Sequence, residues 1–417
     1  MSTSSQRYDV AMIGLGYIGL PTAAVIARSG LRVCGVDISR TTVDTVNAGR
    51  IHIEEKDLDA LVRDVVERGL LSASTEAPEA DTFLIAVPTP LAQGNRPDIS
   101  HVLSAVELIA PRLRSGNCVI LESTSPIGTT EKVAAMLAEL RPDLCIPGHC
   151  QGDHDVHIAY CPERVLPGQI IAELVSNDRV IGGLTPSCSE RAGAFYRGFV
   201  EGACLPTSAG AAEMVKLSEN SFRDVNIAFA NELSMIAEDN GIDVWDVIRL
   251  ANRHPRVNIL QPGPGVGGHC IAVDPWFLAA GSPDLSPLIR TARQVNDAKA
   301  THVAEHLVSL LEAHPDKRLA ILGLTFKPNI DDIRESPALE IAEHVAARFG
   351  HRTLVVEPYL DALPQSLAES EAKLVSLEEA VEKAGLIAVL VDHKPFRDAP
   401  RSIGEGKIVY DTRGMWA

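Results

Sequence analysis

YDVAMIGLGYIGLPTAAVIARSGLRVCGVD, the stretch from Tyr8 to Asp37, places an apolar run, a glycine-rich turn, a helix-forming segment and a second apolar run ending on an acid in direct succession. The run YDVAMI has the length of a buried strand. Gly14, Gly16 and Gly19, with Tyr17 and Ile18 between them, then let the backbone turn tightly and come close to a pyrophosphate. The N-terminus of the following helix offers aligned N–H dipoles to that negative charge. Asp37 lies about 20 residues beyond the glycines, where its carboxylate can accept hydrogen bonds from the adenosine ribose hydroxyls. A 2′-phosphate there would meet a like charge, so the pattern predicts binding of NAD rather than NADP.

Further along, DTFLIAV, CVILEST, HIAYC and RVIGG recur between helix-like segments as far as about Pro206. Short apolar runs alternating with helices predict a parallel sheet covered on both faces. The stretch 207–311 lacks comparable runs, is rich in Ala, Glu, Leu and Asn at helical spacing, and reads as helical. From Arg318 the alternation returns with RLAILGL, RTLVVEP, GLIAVLVD and KIVYDT. The expected fold class is therefore α/β: two Rossmann-like doubly wound parallel-sheet domains, 1–206 for NAD and 312–417 for a second ligand, joined by a long helix and a helical middle domain, 207–311.

Over 417 residues, 55 acidic side chains outnumber 38 basic ones for a formal charge of −17, which repels nucleic acid and anionic lipid at long range. Any phosphate-bearing ligand must be held in a local pocket, and no nucleic-acid partner is expected. The opening MSTSSQRYDV lacks the apolar core of a signal peptide and no apolar run approaches a membrane span, which predicts a cytoplasmic protein without membrane insertion. Eight cysteines without paired spacing predict reduced thiols, most of them small core residues. Cys145, Cys150, His154 and His157 match no familiar zinc spacing, and no metal is expected.

Within TSAGAAEMVKLSENSFRDVNIAFANELSMIAEDNG, Thr207 or Ser208 can cap and Gly241 can stop a long helix. Glu213, Lys216, Asn220 and Arg223 recur at spacings of three and four on one face, either as an exposed ion-paired stripe or as cationic and amide donors lining a pocket. Downstream, GPGVGGHCIAVDP sets Cys270 at the end of a glycine-rich loop, four residues before Asp274. A thiol there becomes a nucleophile if nearby positive charge, from Lys216 or His269, favours the thiolate; a lone cysteine is otherwise inert core. In the terminal α/β unit, GLTFKPNIDDIRESP has Lys327 where a pyrophosphate loop needs glycine. Lys327 and Arg334 can meet phosphate charge or stand as solvated surface cations.

Together with VPTP at Val87–Pro90, ESTSPIGTT around Thr124 and YCPERVLPG around Glu163, these motifs make the chain resemble, nearly end to end, the UDP-glucose/GDP-mannose dehydrogenase family. The resemblance implies NAD-dependent four-electron oxidation of a UDP-sugar C6 alcohol to a carboxylate through a thiohemiacetal and thioester on Cys270. It implies that Lys216 and Asn220 stabilise the oxyanion, and that Asp274, Glu163 and a water near Thr124 handle protons. Pro88, Thr89, Thr124 and Arg334 would join the glycine motif in holding NAD. Lys327, Gly267 and the loop around Arg256 would join Lys216 and Asn220 in holding the nucleotide sugar. Arg164 and Arg223 are candidates for the N-acetyl sugar or its phosphates, or for structural ion pairs. The long helix and helical middle would form a homodimer interface.

Within the family, YCPERVLPG followed by NDRVIGG, with HCIAVDPWF, LVVEP and VYDTRGMW, points to UDP-N-acetyl-D-mannosamine as substrate. Val273 and Arg164-Val165 stand where UDP-glucose dehydrogenases commonly carry Lys and Phe-Leu, which disfavours glucose. The alternatives are UDP-N-acetylglucosamine, or a two-electron hydroxyacid-type dehydrogenase that would need neither Cys270 nor the terminal unit.

Overall fold

A computed structural model describes residues 7–166, 168–268 and 270–416 and divides the chain into two compact units, with the division falling between Ser218 and Glu219. The first unit runs β1 (Tyr8–Ile13), α1 (Gly19–Arg28), β2 (Val33–Val36), α2 (Arg40–Asn47), α3 (Leu58–Glu67), β3 (Leu71–Ser74) and β4 (Ala80–Ile85). A hairpin of β5 (Leu91–Ala92) and β6 (Arg96–Pro97) precedes α4 (Ser100–Ile109), β7 (Cys118–Leu121), α5 (Thr129–Leu140) and β8 (His157–Tyr160). The unit continues through α6 (Ile170–Ser176), β9 (Arg179–Gly183), α7 (Pro186–Tyr196) and β10 (Cys204–Ser208).

Eight strands form one sheet in the order β10-β9-β8-β7-β4-β1-β2-β3, parallel throughout except for the β8–β9 pair. Strand order reverses between β1 and β4, the place where doubly wound sheets open a ligand crevice at the carboxyl ends of their strands. Both faces are covered because successive side chains point to opposite sides: Val10 and Met12 enter one apolar cluster, Ala11 and Ile13 the other. Each buried Val, Leu or Ile contributes roughly 1.5–3 kcal/mol, so uninterrupted apolar strands are what this architecture demands. Two strands carry no such signal. β3 is LSAS and β10 is CLPTS, both at sheet edges, where one neighbour suffices and Pro206 is tolerated.

The second unit follows α8 (Ala209–Asp239), which runs through the division. Ser208 Oγ accepts from the Ala211 N–H at 3.4 Å at its start, and Gly241 (φ +64°) ends it while the Ile242 N–H returns to the Ala237 carbonyl at 2.8 Å. Then come α9 (Val244–Ala251), α10 (Asp274–Gly281) and α11 (Pro287–Ala313), with no strand among the described residues from 209 to 313. The terminal part runs β11 (Leu319–Leu322), α12 (Pro337–Phe349), β12 (Thr353–Val356), β13 (Lys373–Leu374), β14 (Leu386–Val389) and β15 (Ile408–Asp411), a parallel sheet ordered β13-β12-β11-β14-β15. No described helix is long and apolar enough to cross a membrane.

The cysteines need one correction. Cys145 and Cys150 are disulfide-bonded, with Cα atoms 5.4 Å apart, where the sequence predicted reduced thiols. The loop turns at Gly148 (φ +81°), which brings the two Cα atoms within bridging range. Cys34, Cys118 and Cys161 are buried thiols pushed up by that burial, to about 11, about 12 and about 12, and are inert. Cys270 is exposed.

Candidate active site

In the first unit the glycine motif separates into distinct roles. A methyl group on Gly14 would sit 2.4 Å from the Ala86 carbonyl oxygen, and one on Gly19 would sit 1.9 Å from that of Gly14. Both glycines are required for the turn to close. A methyl group on Gly16 meets nothing within 4 Å, so the backbone there faces open space. Helix α1 begins beside it with no side chain capping its N–H groups. Asp37 is fixed from two sides, accepting from the Leu15 N–H at 3.0 Å and the Ser39 N–H at 2.8 Å. Open space at the middle glycine, an uncapped helix N-terminus and a positioned acid fit the pyrophosphate and ribose of NAD.

Tyr17 is exposed and Ile18 occupies the N-cap position of α1. The VPTP and ESTS segments are tied together: the Val87 N–H donates to Ser123 Oγ at 2.8 Å, and Thr89 Oγ1 donates to the Thr124 carbonyl at 2.6 Å. Pro88 stands exposed on this pair of loops and Thr124 is half-buried.

Glu163 lies buried, its Oε2 accepting from Arg179 at 2.6 Å and its Oε1 from the Arg164 N–H at 2.7 Å. Each oxygen has one partner, and the pair fixes the start of the 161–166 segment. Arg164 bonds the Asp178 carbonyl through its guanidinium. Glu213 is likewise buried and accepts from the Gly128 N–H (2.7 Å), the Thr130 N–H (2.8 Å) and Thr130 Oγ1 (2.7 Å). It caps α5, and so belongs neither to an exposed stripe nor to a donor set with Lys216. Lys216 is half-buried on α8. A cavity of about 640 Å³ lined by Arg28, Glu55, Lys56, Gly168 and Glu201, among others, contains none of the candidate residues.

In the second unit, Asn220 and Asp274 are both buried and joined, Asn220 Nδ2 donating to Asp274 Oδ2 at 2.5 Å. The Cys270 carbonyl accepts from the Val273 N–H at 3.1 Å and the Asp274 N–H at 2.9 Å, so one turn leads from the exposed thiol into the first turn of α10. His269, read as a source of positive charge, lies outside the described residues. The glycines of the loop are packing requirements. A methyl group on Gly267 would meet the Glu335 carbonyl oxygen at 2.2 Å, and one on Gly268 (φ +81°) the Phe326 ring at 2.8 Å. The loop is thus pressed against the terminal α/β part at the same segment that bears Lys327.

The residues that hold this loop from the other side are not among the candidates the sequence offered. Asp224 accepts from Arg293 (2.6 Å) and Asn296 (2.8 Å), Asn296 Oδ1 accepts from Asn231 Nδ2 (2.9 Å), and Asn231 Oδ1 accepts from the Gly263 N–H (2.9 Å). Asp224 and Asn231 continue the Lys216–Asn220 row by four and then seven residues, so extending the helical spacing would have found them. Lys327 is half-buried on a loop tied down by Thr325 Oγ1, which donates to the Lys327 carbonyl at 2.8 Å, and by the Asn329 N–H, which donates to His393 Nδ1 at 2.9 Å. Arg334 forms a two-point pair with Asp332, at 2.9 and 2.6 Å. Arg223 and Arg256 are exposed.

Residues 8–200 match the UDP-glucose/GDP-mannose dehydrogenase family NAD binding domain, 210–298 its central domain and 320–417 its UDP binding domain. UDP-N-acetyl-D-mannosamine dehydrogenase of Escherichia coli K12 is 55% identical over 415 residues, covering 98% of this chain and 99% of the relative. NDP-N-acetyl-D-galactosaminuronic acid dehydrogenase of Ralstonia nicotianae is 53% identical, covering 98% and 96%. The solved structure of UDP-D-ManNAc dehydrogenase from Pyrococcus horikoshii superposes with a TM-score of 0.86 at 38% identity, covering 98% of this chain and 96% of that one. The chain is a member of the UDP-glucose/GDP-mannose dehydrogenase family, an NAD-binding oxidoreductase.

Proposed function

We propose that this protein oxidises the C6 hydroxyl of UDP-N-acetyl-D-mannosamine to the carboxylate, with Cys270 as the covalent nucleophile. NAD, which Gly14, Gly16, Gly19 and Asp37 would hold, would supply the acceptor for each hydride lost from C6, one per NAD. Between the two transfers the Cys270 sulfur adds to the C6 aldehyde, forming a C–S bond and an alkoxide that is protonated to the thiohemiacetal. Loss of the second hydride from carbon, together with the hydroxyl proton to a base, leaves a thioester, and water then cleaves the C–S bond to give the carboxylate and restore the thiol.

The observation that carries this reading is the buried Asn220–Asp274 bond, one tight turn from the exposed Cys270. Asn220, and Lys216 four residues before it along α8, supply oxyanion donors, an arrangement typically worth about 3–4 kcal/mol per donor. Asp274 moves protons at the sulfur and the attacking water. Glu163, held by Arg179 and the Arg164 N–H with acceptor capacity left on each oxygen, handles protons together with a water near Thr124. Lys327, Gly267 and Arg256 hold the nucleotide sugar, with Arg164 and Arg223 toward the N-acetyl sugar and its phosphates. Pro88, Thr89, Thr124 and Arg334 complete the NAD site.

The sugar assignment is supported by the 55%-identical relative, named for UDP-N-acetyl-D-mannosamine. A homodimer is supported by Phe222, Phe229 and Ile236, exposed at seven-residue intervals along α8, a stripe that a second copy would cover. The reading also places the protein in the cytoplasm, where NAD and UDP-sugars are found. Counting NADH formed per UDP-sugar consumed, for the manno, gluco and galacto N-acetyl forms, tests the reaction and the sugar together. Two NADH per sugar with the manno form preferred is expected. One NADH per sugar would overturn the reaction, and strong preference for another epimer would overturn the sugar.

A further inference from the structure

The loop between α5 and β8 is closed at its base by the Asp155 N–H donating to the Cys145 carbonyl and the Cys145 N–H donating to Asp155 Oδ2, both at 2.8 Å, and it carries the Cys145–Cys150 disulfide. This brings His154 and His157, at the mouth of β8, opposite the first turn of α7. There Cys188 sits fully buried, three residues after the capping Thr185. His154 Nε2 is 3.6 Å from Cys188 Sγ, and one ligand atom from each of His154, His157 and Cys188 lies within 4.8 Å of the other two.

Two further features set this trio apart from a hydrogen-bonded core. The sulfur accepts from the Ile158 N–H at 3.3 Å and from Thr185 Oγ1 at 3.1 Å, which fixes it in place facing the two imidazoles. His157 Nδ1 is buried with no hydrogen-bond partner, which an S–H···N bond between Cys188 and His154 does nothing to satisfy.

We propose that His154, His157 and Cys188 bind one divalent transition-metal ion of the zinc class, which fastens the loop before β8 to α7. Two imidazoles and a thiolate form a borderline-soft donor set that selects such an ion over calcium or magnesium. Tetrahedral zinc, at about 2.0–2.1 Å from nitrogen and 2.3 Å from sulfur, places N and S about 3.6 Å apart, which is the His154–Cys188 separation. Ser187 Oγ, 3.0 Å from His154 Nε2, or a water takes the fourth position. The Cys145–Cys150 bridge removes two thiols from the loop, so Cys188, distant in sequence, supplies the sulfur. None of these residues belongs to the proposed active site.

The test uses the full-length chain, stripped by chelator and titrated with Co²⁺ in a Cys270→Ser background so that the exposed thiol cannot contribute. One equivalent bound with a sulfur-to-cobalt charge-transfer band is expected. Cys188→Ser should abolish that band, and His154→Gln and His157→Gln should each weaken binding by about 10- to 100-fold. Should the buried Cys188→Ser variant fail to fold, the half-exposed His154→Gln variant decides by its affinity. Absence of stoichiometric binding, a charge-transfer band that survives Cys188→Ser, or unchanged affinity in both histidine variants would overturn the assignment.

Discussion

Adding one methyl group at each glycine of the nucleotide motif should separate folding from cofactor binding. At Gly14, alanine brings Cβ to 2.4 Å from the Ala86 carbonyl oxygen at a φ of +95°. Backbone strain of about 1–2 kcal/mol adds to an overpacking cost of about 1–3 kcal/mol. At Gly19, the Cβ falls 1.9 Å from the Gly14 carbonyl oxygen, a backbone atom that cannot rotate away, and the modest helix-propensity gain of alanine cannot offset it. Gly16→Ala meets no neighbour, so its stability should stay within about 0.5 kcal/mol of the parent. Its methyl group would nevertheless keep the pyrophosphate off the backbone. Losing one charge-assisted N–H bond costs about 1.5–3 kcal/mol, or roughly 10- to 150-fold in NAD affinity. Calorimetric NAD titration beside denaturant melts of the three variants is the assay. Wild-type NAD affinity in Gly16→Ala, or a Gly16→Ala melt lowered as far as that of Gly14→Ala, would refute the reasoning.

Asn220→Ala removes a donor from the buried Asp274 carboxylate and should cost about 1–3 kcal/mol of stability as well as lowering kcat; denaturant melts and steady-state rates check both. Burial pushes the Glu122 carboxyl up to about 7, with Tyr196 donating to it at 2.6 Å. Because the folded state favours the protonated form, its contribution is complete below about 4.5 and is lost as pH rises through about 7; Glu122→Gln should flatten that part of the stability–pH curve. Glu238 shifts the opposite way. The His306 bond (2.7 Å) and then the His302 bond (3.1 Å) hold it down to about 2, so its contribution is present above about 4.5 and fades as pH falls toward about 2. Glu238→Gln should remove that acid-side loss in the same melts.

Much of the architecture was legible because parallel strands buried on both faces must be apolar at their centres, as VAMI of β1, CVIL of β7 and LAIL of β11 are. Strands at the sheet edges escaped, since LSAS and CLPTS are under no such demand. The glycine–helix–acid motif announced its site because each part answers a separate need of one ligand. Local chemistry was harder to read than local pattern. Glu213 lies in a helical row with Lys216, yet it is spent on capping α5, a partnership more than 80 residues away. Glu163 meets Arg179, which no spacing rule connects to it. The Cys145–Cys150 bridge and the approach of Cys188 to His154 likewise depend on how a loop closes, which periodicity does not report.

The proposed reaction requires a covalent bond between Cys270 and the oxidised sugar. Acid-quenching the enzyme during its first turnover with UDP-N-acetyl-D-mannosamine and NAD, then mapping the peptides by mass, observes that bond directly. A sugar acyl group on the peptide bearing Cys270, removable by hydroxylamine and absent from Cys270→Ala, is the expected result. An unmodified Cys270 throughout a turnover that still yields two NADH, or a Cys270→Ala enzyme that completes both oxidations, would contradict it.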